Sequence, residues 1–288
     1  MNSIELSGSS LPERLRALPK PPARVFLCGT LPRGFAVAVV GTRHPTEQGR
    51  ALGRHIAADL ASAGVVVVSG GASGIDRAAH EGALGAGGRT LVVAPSGFAR
   101  PFPEEHRALF HGVVEAGGAY LSLVPDDVPA TRSAFFPRNG CLVALADALV
   151  LVEAPVRSGA RNAVKHARRL GRPVFAVPHS PWNAVGRGCN VELRGGAKLL
   201  ESARDVLGEL PVPGATAAEG GPTQLELGGF EAAPDLAAVW QAVRDGARSV
   251  DAVCARAGLP PSRAQAALLA LSLDGRLVMD ATGVVEPA

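Results

Sequence analysis

Ala36-Val37-Ala38-Val39-Val40-Gly41-Thr42-Arg43 and Val65-Val66-Val67-Val68-Ser69-Gly70-Gly71-Ala72-Ser73-Gly74-Ile75-Asp76 decide the fold. Each is an unbroken apolar, β-branched run that ends in a glycine turn. Between them Leu52, Ile56, Leu60 and Ala63 recur at helical spacing, and Gly64 closes the helix. A continuous apolar strand, a helix and a second apolar strand predict a parallel sheet buried on both faces. Ligands of such sheets bind outside the carboxyl ends of the strands. The two glycine turns are therefore expected to share one rim and line one site.

Outward from this unit the alternation continues. Thr90–Ala94, Ala119–Val124, Ala148–Glu153 and Pro173–Val177 read as strands; Glu104–Ala116, Arg138–Ala146 and Arg161–Leu170 read as helices. Val25–Gly29 reads as a short strand ahead of the sheet, behind a proline-broken lead-in of residues 1–22. The fold class is α/β, an extended Rossmann-like doubly wound parallel sheet over residues 23–205. Residues 206–233 hold four glutamates, no lysine or arginine, and several Pro and Gly, and read as an acidic linker. Residues 234–288 read as three helices and a β-hairpin, a small winged-helix domain.

The 288 residues are 47% hydrophobic and 4% aromatic, so a full core packed by Ala, Val and Leu is expected. No apolar run is long enough to span a membrane and the N-terminus lacks a signal-peptide pattern. Cys28, Cys141, Cys189 and Cys254 are scattered, which fits a cytoplasmic protein and gives no zinc spacing. The net charge of +3 is uneven: residues 1–205 carry 24 basic against 16 acidic residues, and residues 206–288 carry 5 against 10. A polyanion belongs on the first domain, although solvated helix faces account for many of these arginines equally well. Residues 234–288 hold five basic and six acidic residues, which favours protein contacts or dimerisation over DNA for the winged helix.

Gly41, Thr42 and Arg43 offer a close backbone approach, a hydroxyl and a guanidinium, all suited to phosphate. Ser69, Gly70, Gly71 and Gly74 offer backbone N–H groups on the same rim. The spacing is neither a dinucleotide fingerprint nor a P-loop. Phe135 and Phe136, with Arg132, Arg138 and Asn139 around them, suit a stacked base beside a phosphate; for Phe136 core filling is the stronger reading. Arg157, Ser158 and Gly159 are expected to face the same rim. Ser73 is not in a nucleophile elbow. Asp76 and His80 lie four apart on one helix face, where a hydrogen bond that orders the rim outweighs a catalytic pair. His106, His111, His166 and His179 have no ligand spacing, so no metal and no cofactor is expected.

These residues, in this order, resemble the DNA-processing protein A (DprA, or Smf) family over about Pro22 to Ser202. Gly41-Thr42-Arg43, Ser69 to Asp76 with Ala79-His80, Phe135 to Gly140, Ser158-Gly159, and Gly188, Asn190, Gly196 and Ala197 carry the likeness. The resemblance implies a single-stranded DNA-binding protein of natural transformation that protects incoming DNA, helps load the RecA recombinase, acts as a homodimer through the Rossmann domain, and catalyses nothing. It implies that Arg43 and Arg138 hold phosphates, that Phe135 contacts a base, and that Arg132 stands in for a basic residue ahead of the Phe. Gly140 replaces the second Arg of the motif, one cation fewer in the pocket, and Arg161 and Lys165 are expected to restore that charge. The rival from another class is a nucleotide-binding sensor or a phosphoribohydrolase-like enzyme. The enzyme's Pro-Gly-Gly-x-Gly-Thr-x-x-Glu signature lacks its Thr and Glu here.

Overall fold

The computed structural model describes residues 2–210, 234–273, 277–279 and 285–287, in two compact units. In the first unit the chain runs β1 (Ile4–Ser7), α1 (Glu13–Arg16), β2 (Arg24–Gly29), β3 (Ala36–Val40), α2 (Glu47–Ser62), β4 (Val66–Ser69), α3 (Ile75–Gly85) and β5 (Thr90–Ala94). It continues through α4 (Arg107–Glu115), β6 (Ala119–Ser122), α5 (Phe135–Ala144), β7 (Ala148–Leu151), α6 (Ala160–Arg169), β8 (Val174–Ala176), α7 (Arg187–Arg194), β9 (Lys198–Leu199) and α8 (Ala203–Leu207).

The nine strands form one sheet in the order β1-β2-β6-β5-β4-β3-β7-β8-β9. Pairings from β6 across to β9 are parallel; β2 joins β6, and β1 joins β2, in antiparallel fashion. Successive strand residues alternate between two cores. Ala38, Val40, Val68, Leu91 and Leu149 face the layer holding Leu142 of α5 and Val164 of α6. Val37, Val39, Val67 and Val150 face Ile56 and Leu60 of α2, Ala79 and Ala83 of α3, and Val206 of α8. Burial on both sides explains why these strands read as continuous apolar runs.

Several boundaries differ from the sequence reading. The expected lead-in supplies the edge strand β1, and its Leu11 and Leu15 are buried in the first core. Helix α5 begins at Phe135 rather than Arg138, because Pro137 lies in the first turn, where a missing N–H costs no helical hydrogen bond. The expected linker at 206–233 lies outside the described residues from 211 onward, and its start is occupied by the end of α8.

The second unit holds α9 (Pro234–Arg244), α10 (Val250–Ala257) and α11 (Pro261–Leu273), with β10 (Leu277–Met279) paired antiparallel to β11 (Val285–Pro287). The Ser249 hydroxyl caps α10 by accepting from Ala252 N. Val239, Val243, Val253, Ala264, Leu268 and Leu271 form its core. Among the described residues of the whole chain, no helix is long and apolar enough to cross a membrane.

Candidate functional site

The chain leaves β3 toward β4 on one side and later returns to β3's other side as β7. The loops after β3 and β7 therefore part at a topological switch point, where open α/β sheets bind ligands. A cavity of about 510 Å³ lies there, lined by Gly41, Thr42 and Arg43 after β3 and by Pro155, Arg157, Ser158 and Gly159 after β7. Arg132 and, from the start of α5, Phe135, Phe136, Arg138 and Asn139 close it.

The β3 loop is fixed through its backbone. Thr42 N donates to Glu153 O at 2.7 Å, and Thr42 O accepts from Ile75 N at 3.2 Å. The Thr42 hydroxyl accepts from His44 N, which leaves its own proton to donate into the cavity. Arg43 projects outward with its guanidinium 4.9 Å from the centroid of the Phe135 ring. Phe135 is half-buried, held edge-on by Phe102 at 5.7 Å. Arg43, Arg132 and Arg157 are exposed, and none makes an ion pair among the described residues.

Arg138 differs from these three. It is only 5% exposed and donates from Nη1 to Asn139 Oδ1 at 2.9 Å. Burial lowers its affinity for its proton, and the Asp76 carboxylate counters that loss. Asp76 is itself pushed upward by burial, with Arg138 and the Ala72 N–H holding it down. Asp76 is the sole carboxylate lining the cavity, and both its charge and its acceptor capacity serve the wall. Asn139 Nδ2 reaches Gly159 O and Asn162 Oδ1, tying α5 to the start of α6. The Ser158 hydroxyl accepts from Ala160 N, so the positive end of α6 opens at the cavity beside Ser158 and Gly159.

The second glycine turn lies beneath the site instead of lining it. Ser69, Gly70 and Gly71 are buried. The Ser69 hydroxyl donates to Val39 O at 2.6 Å, and Gly71 O accepts from His106 Nδ1 at 3.0 Å. A Cβ on Gly70 would collide with the Arg138 guanidinium. Gly74, at φ +80°, lets the turn pass under Thr42 O and Arg43. The turn supplies space and support for the arginines rather than the N–H donors expected of it.

Other expectations are corrected. Phe136 is 61% exposed on the cavity rim, not core filling, because one residue along a helix swings a side chain about 100°. Gly140 faces a separate groove on the other side of α5, against the His166 ring, so an arginine there would not point into this cavity. Arg161 does not compensate: its Nε donates to the buried Glu192 at 2.6 Å. Lys165 is exposed on α6 away from the cavity lining. Asp76 and His80 do not bond to each other; His80 Nδ1 meets Thr90 Oγ1 at 2.7 Å. The sequence reading passed over Glu153, which is fully buried and accepts from Thr46 N at 2.7 Å, Thr46 Oγ1 at 3.0 Å and Asn183 Nδ2 at 2.8 Å. An acidic residue ending an apolar strand was the available signal. Among the described residues no cluster of His, Cys, Asp and Glu suits a metal ion.

Comparison with known proteins agrees with this architecture. A DprA relative from Mycobacterium tuberculosis is 39% identical over 250 residues, covering 83% of this chain and 61% of that protein. The chain thus spans about three fifths of that relative's length. The DNA processing protein DprA of Bacillus subtilis is 33% identical over 214 residues, covering 73% of this chain and 72% of that protein. The X-ray structure of DprA from Streptococcus pneumoniae superposes with a TM-score of 0.65 at 30% identity, covering 72% of this chain and 74% of that one. DprA from Helicobacter pylori, whose structure is described for a single-stranded DNA binding mode, shares the fold with a TM-score of 0.63 at 24% identity, covering 73% of this chain and 97% of that one. Residues 223–280 match the DprA winged helix domain. With residues 3–211, nearly the whole described first unit, matching the model of that family, the chain belongs to the DNA recombination-mediator protein A family.

Proposed function

We propose that this chain binds single-stranded DNA at the switch-point cavity, without sequence preference and without catalysis. The observation that carries the reading is the set of three exposed guanidiniums, Arg43, Arg132 and Arg157, none in an ion pair among the described residues, lining the cavity with the half-buried Phe135 ring. Phosphates are held by such cations and by the open end of α6, while an aromatic face accepts any base. Arg138 contributes a fixed positive charge from the wall. The missing Thr and Glu of the Pro-Gly-Gly-x-Gly-Thr-x-x-Glu signature argue against a phosphoribohydrolase.

Family membership extends the proposal to the setting. The protein acts in the cytoplasm in DNA uptake, protects the incoming strand, passes it to the RecA recombinase, and works as a homodimer through its first unit. The winged helix, with its near-balanced charge, makes protein contacts.

Fluorescence anisotropy with a labelled oligo-dT, the same-length duplex and AMP, at two salt concentrations, tests the binding. Tight, salt-sensitive binding of the single strand supports it. Equal affinity for the duplex, or binding of AMP alone, refutes it in favour of a nucleotide-sensing or enzymatic role.

A further inference from the structure

Trp182 is 93% exposed, the most exposed large apolar side chain among the described residues, yet the loop that carries it is held by many hydrogen bonds. His179 Nε2 donates to Val152 O at 2.8 Å, which leaves Nδ1 to accept from Asn183 Nδ2 at 3.3 Å. His179 N donates to Asn190 Oδ1 at 3.0 Å, and Asn190 Nδ2 donates back to His179 O at 2.7 Å. Asn183 Oδ1 accepts from Val185 N and Gly186 N. The backbone is thus held on both sides of an indole that is 93% exposed among the described residues.

The same hydrogen bonds tie the loop to the segments that lead into the cavity, although none of its residues lines the cavity itself. Asn183, next to Trp182, donates to Glu153, and Glu153 holds Thr46 at the end of the loop that carries Arg43. On the far side, Gly188 N donates to Ala154 O at 2.7 Å, immediately before the Pro155–Gly159 wall. Residues 178–188 contain no acidic residue and include Arg187, which is exposed and makes no ion pair among the described residues. An exposed indole on an ordered, non-acidic loop joined to a basic cavity has the two parts of a single-strand platform, a π-face and a positive track.

We propose that Trp182 is a base-stacking subsite that extends the DNA site beyond the cavity, with Arg187, exposed five residues further along the same segment, for a backbone phosphate. The proposal rests on the single-stranded DNA reading given above. Glu153 and Asn183 are positioning residues: they hold the platform at a fixed distance from Arg43. A strand seated in the cavity reaches the indole only if it is long enough to cross the rim.

The test uses the full chain carrying Trp240→Phe, which leaves Trp182 as the only tryptophan. Binding of unlabelled oligo-dT is followed by Trp182 emission, and binding of labelled oligo-dT by anisotropy. The expected result is quenching by an oligomer of about 16 nucleotides but not by one of about 4. Trp182→Ala should weaken the long oligomer about tenfold and leave the short one unchanged, and Trp182→Phe should recover most of the loss. Binding seen by anisotropy with unchanged emission and unchanged affinity in Trp182→Ala overturns the subsite while the cavity reading stands. Unchanged DNA affinity with a loss of self-association in the same variant assigns the indole to a protein contact and also overturns it. Absence of any anisotropy change removes both.

Discussion

Arg43 and Phe135 come from opposite walls of the cavity, after β3 and at the start of α5, and meet with guanidinium and ring centroid 4.9 Å apart. The contact restrains both side chains before any ligand arrives. A cation over an aromatic face is worth about 0.5–1 kcal/mol at an exposed site, enough to bias the long arginine side chain without fixing it. Removing the arginine should therefore cost more in DNA binding than in folding.

Arg43→Ala is expected to weaken oligo-dT binding about tenfold, alike for all sequences, because a charge-assisted contact contributes about 1.5–3 kcal/mol. The slope of log affinity against log salt should fall by about 0.7 for the lost phosphate contact. Titrations at several salt concentrations check both values, and an unaltered slope would remove Arg43 from the phosphate track.

Gly70→Ala is expected to destabilise the first unit by about 1–3 kcal/mol and to displace Arg138, since the added methyl collides with that guanidinium. Urea denaturation measures the first effect. Loss of oligo-dT affinity well beyond any loss of folded protein at the assay temperature measures the second. An alanine accepted at full stability and affinity would show that the turn does not hold Arg138.

Arg161→Ala is expected to separate stability from binding. Its partner Glu192 is 4% exposed at the side chain and is also met by Arg168 at 2.8 Å, so one of its two cations remains. The loss should be about 2 kcal/mol of stability, with oligo-dT affinity unchanged. A drop in affinity with unchanged stability would return Arg161 to the DNA site.

His80 should make stability fall in mild acid. Burial lowers its imidazole from 6.5 to about 3, with His106 and Arg138 adding in the same direction. Thr90 Oγ1 donates to Val67 O and so accepts from His80 Nδ1, which leaves His80 Nε2 unprotonated with no partner among the described residues. The unfolded chain takes up this proton near pH 6.5 and the folded chain only near pH 3. The stabilisation is complete above pH 6.5 and is lost as pH falls toward 3, by up to about 1.4 kcal/mol per pH unit. Asp76, shifted upward, has the opposite sign and favours the folded state in acid. Urea midpoints between about pH 4 and pH 7 should show a shallower slope for His80→Asn than for the parent.

The sequence by itself determined the layered α/β unit, because parallel strands buried on both faces must be apolar throughout and helices must alternate at 3.6-residue spacing. Val37 to Val40 and Val66 to Val68 could be read as such strands without any knowledge of their partners. It also placed Gly41, Thr42 and Arg43 at a strand's carboxyl end, where the sheet's geometry puts ligands. The antiparallel edge pairing of β1 and β2 was not legible, since a short strand carries no mark of the neighbour it joins.

Tertiary structure alone decided which of the candidate groups meet the cavity. Ser69, Gly70 and Gly71 have the composition of an anion-binding turn, but Arg138 and Phe110 occupy the space beside the glycines. Arg161 is as basic as Arg157, yet it is committed to Glu192, a residue 31 positions away. Gly140 follows Arg138 and Asn139 in the motif, and the pitch of α5 turns it to the opposite face. Whether a cation is free or paired depends on what long-range packing brings beside it, and a local stretch of sequence carries no record of that.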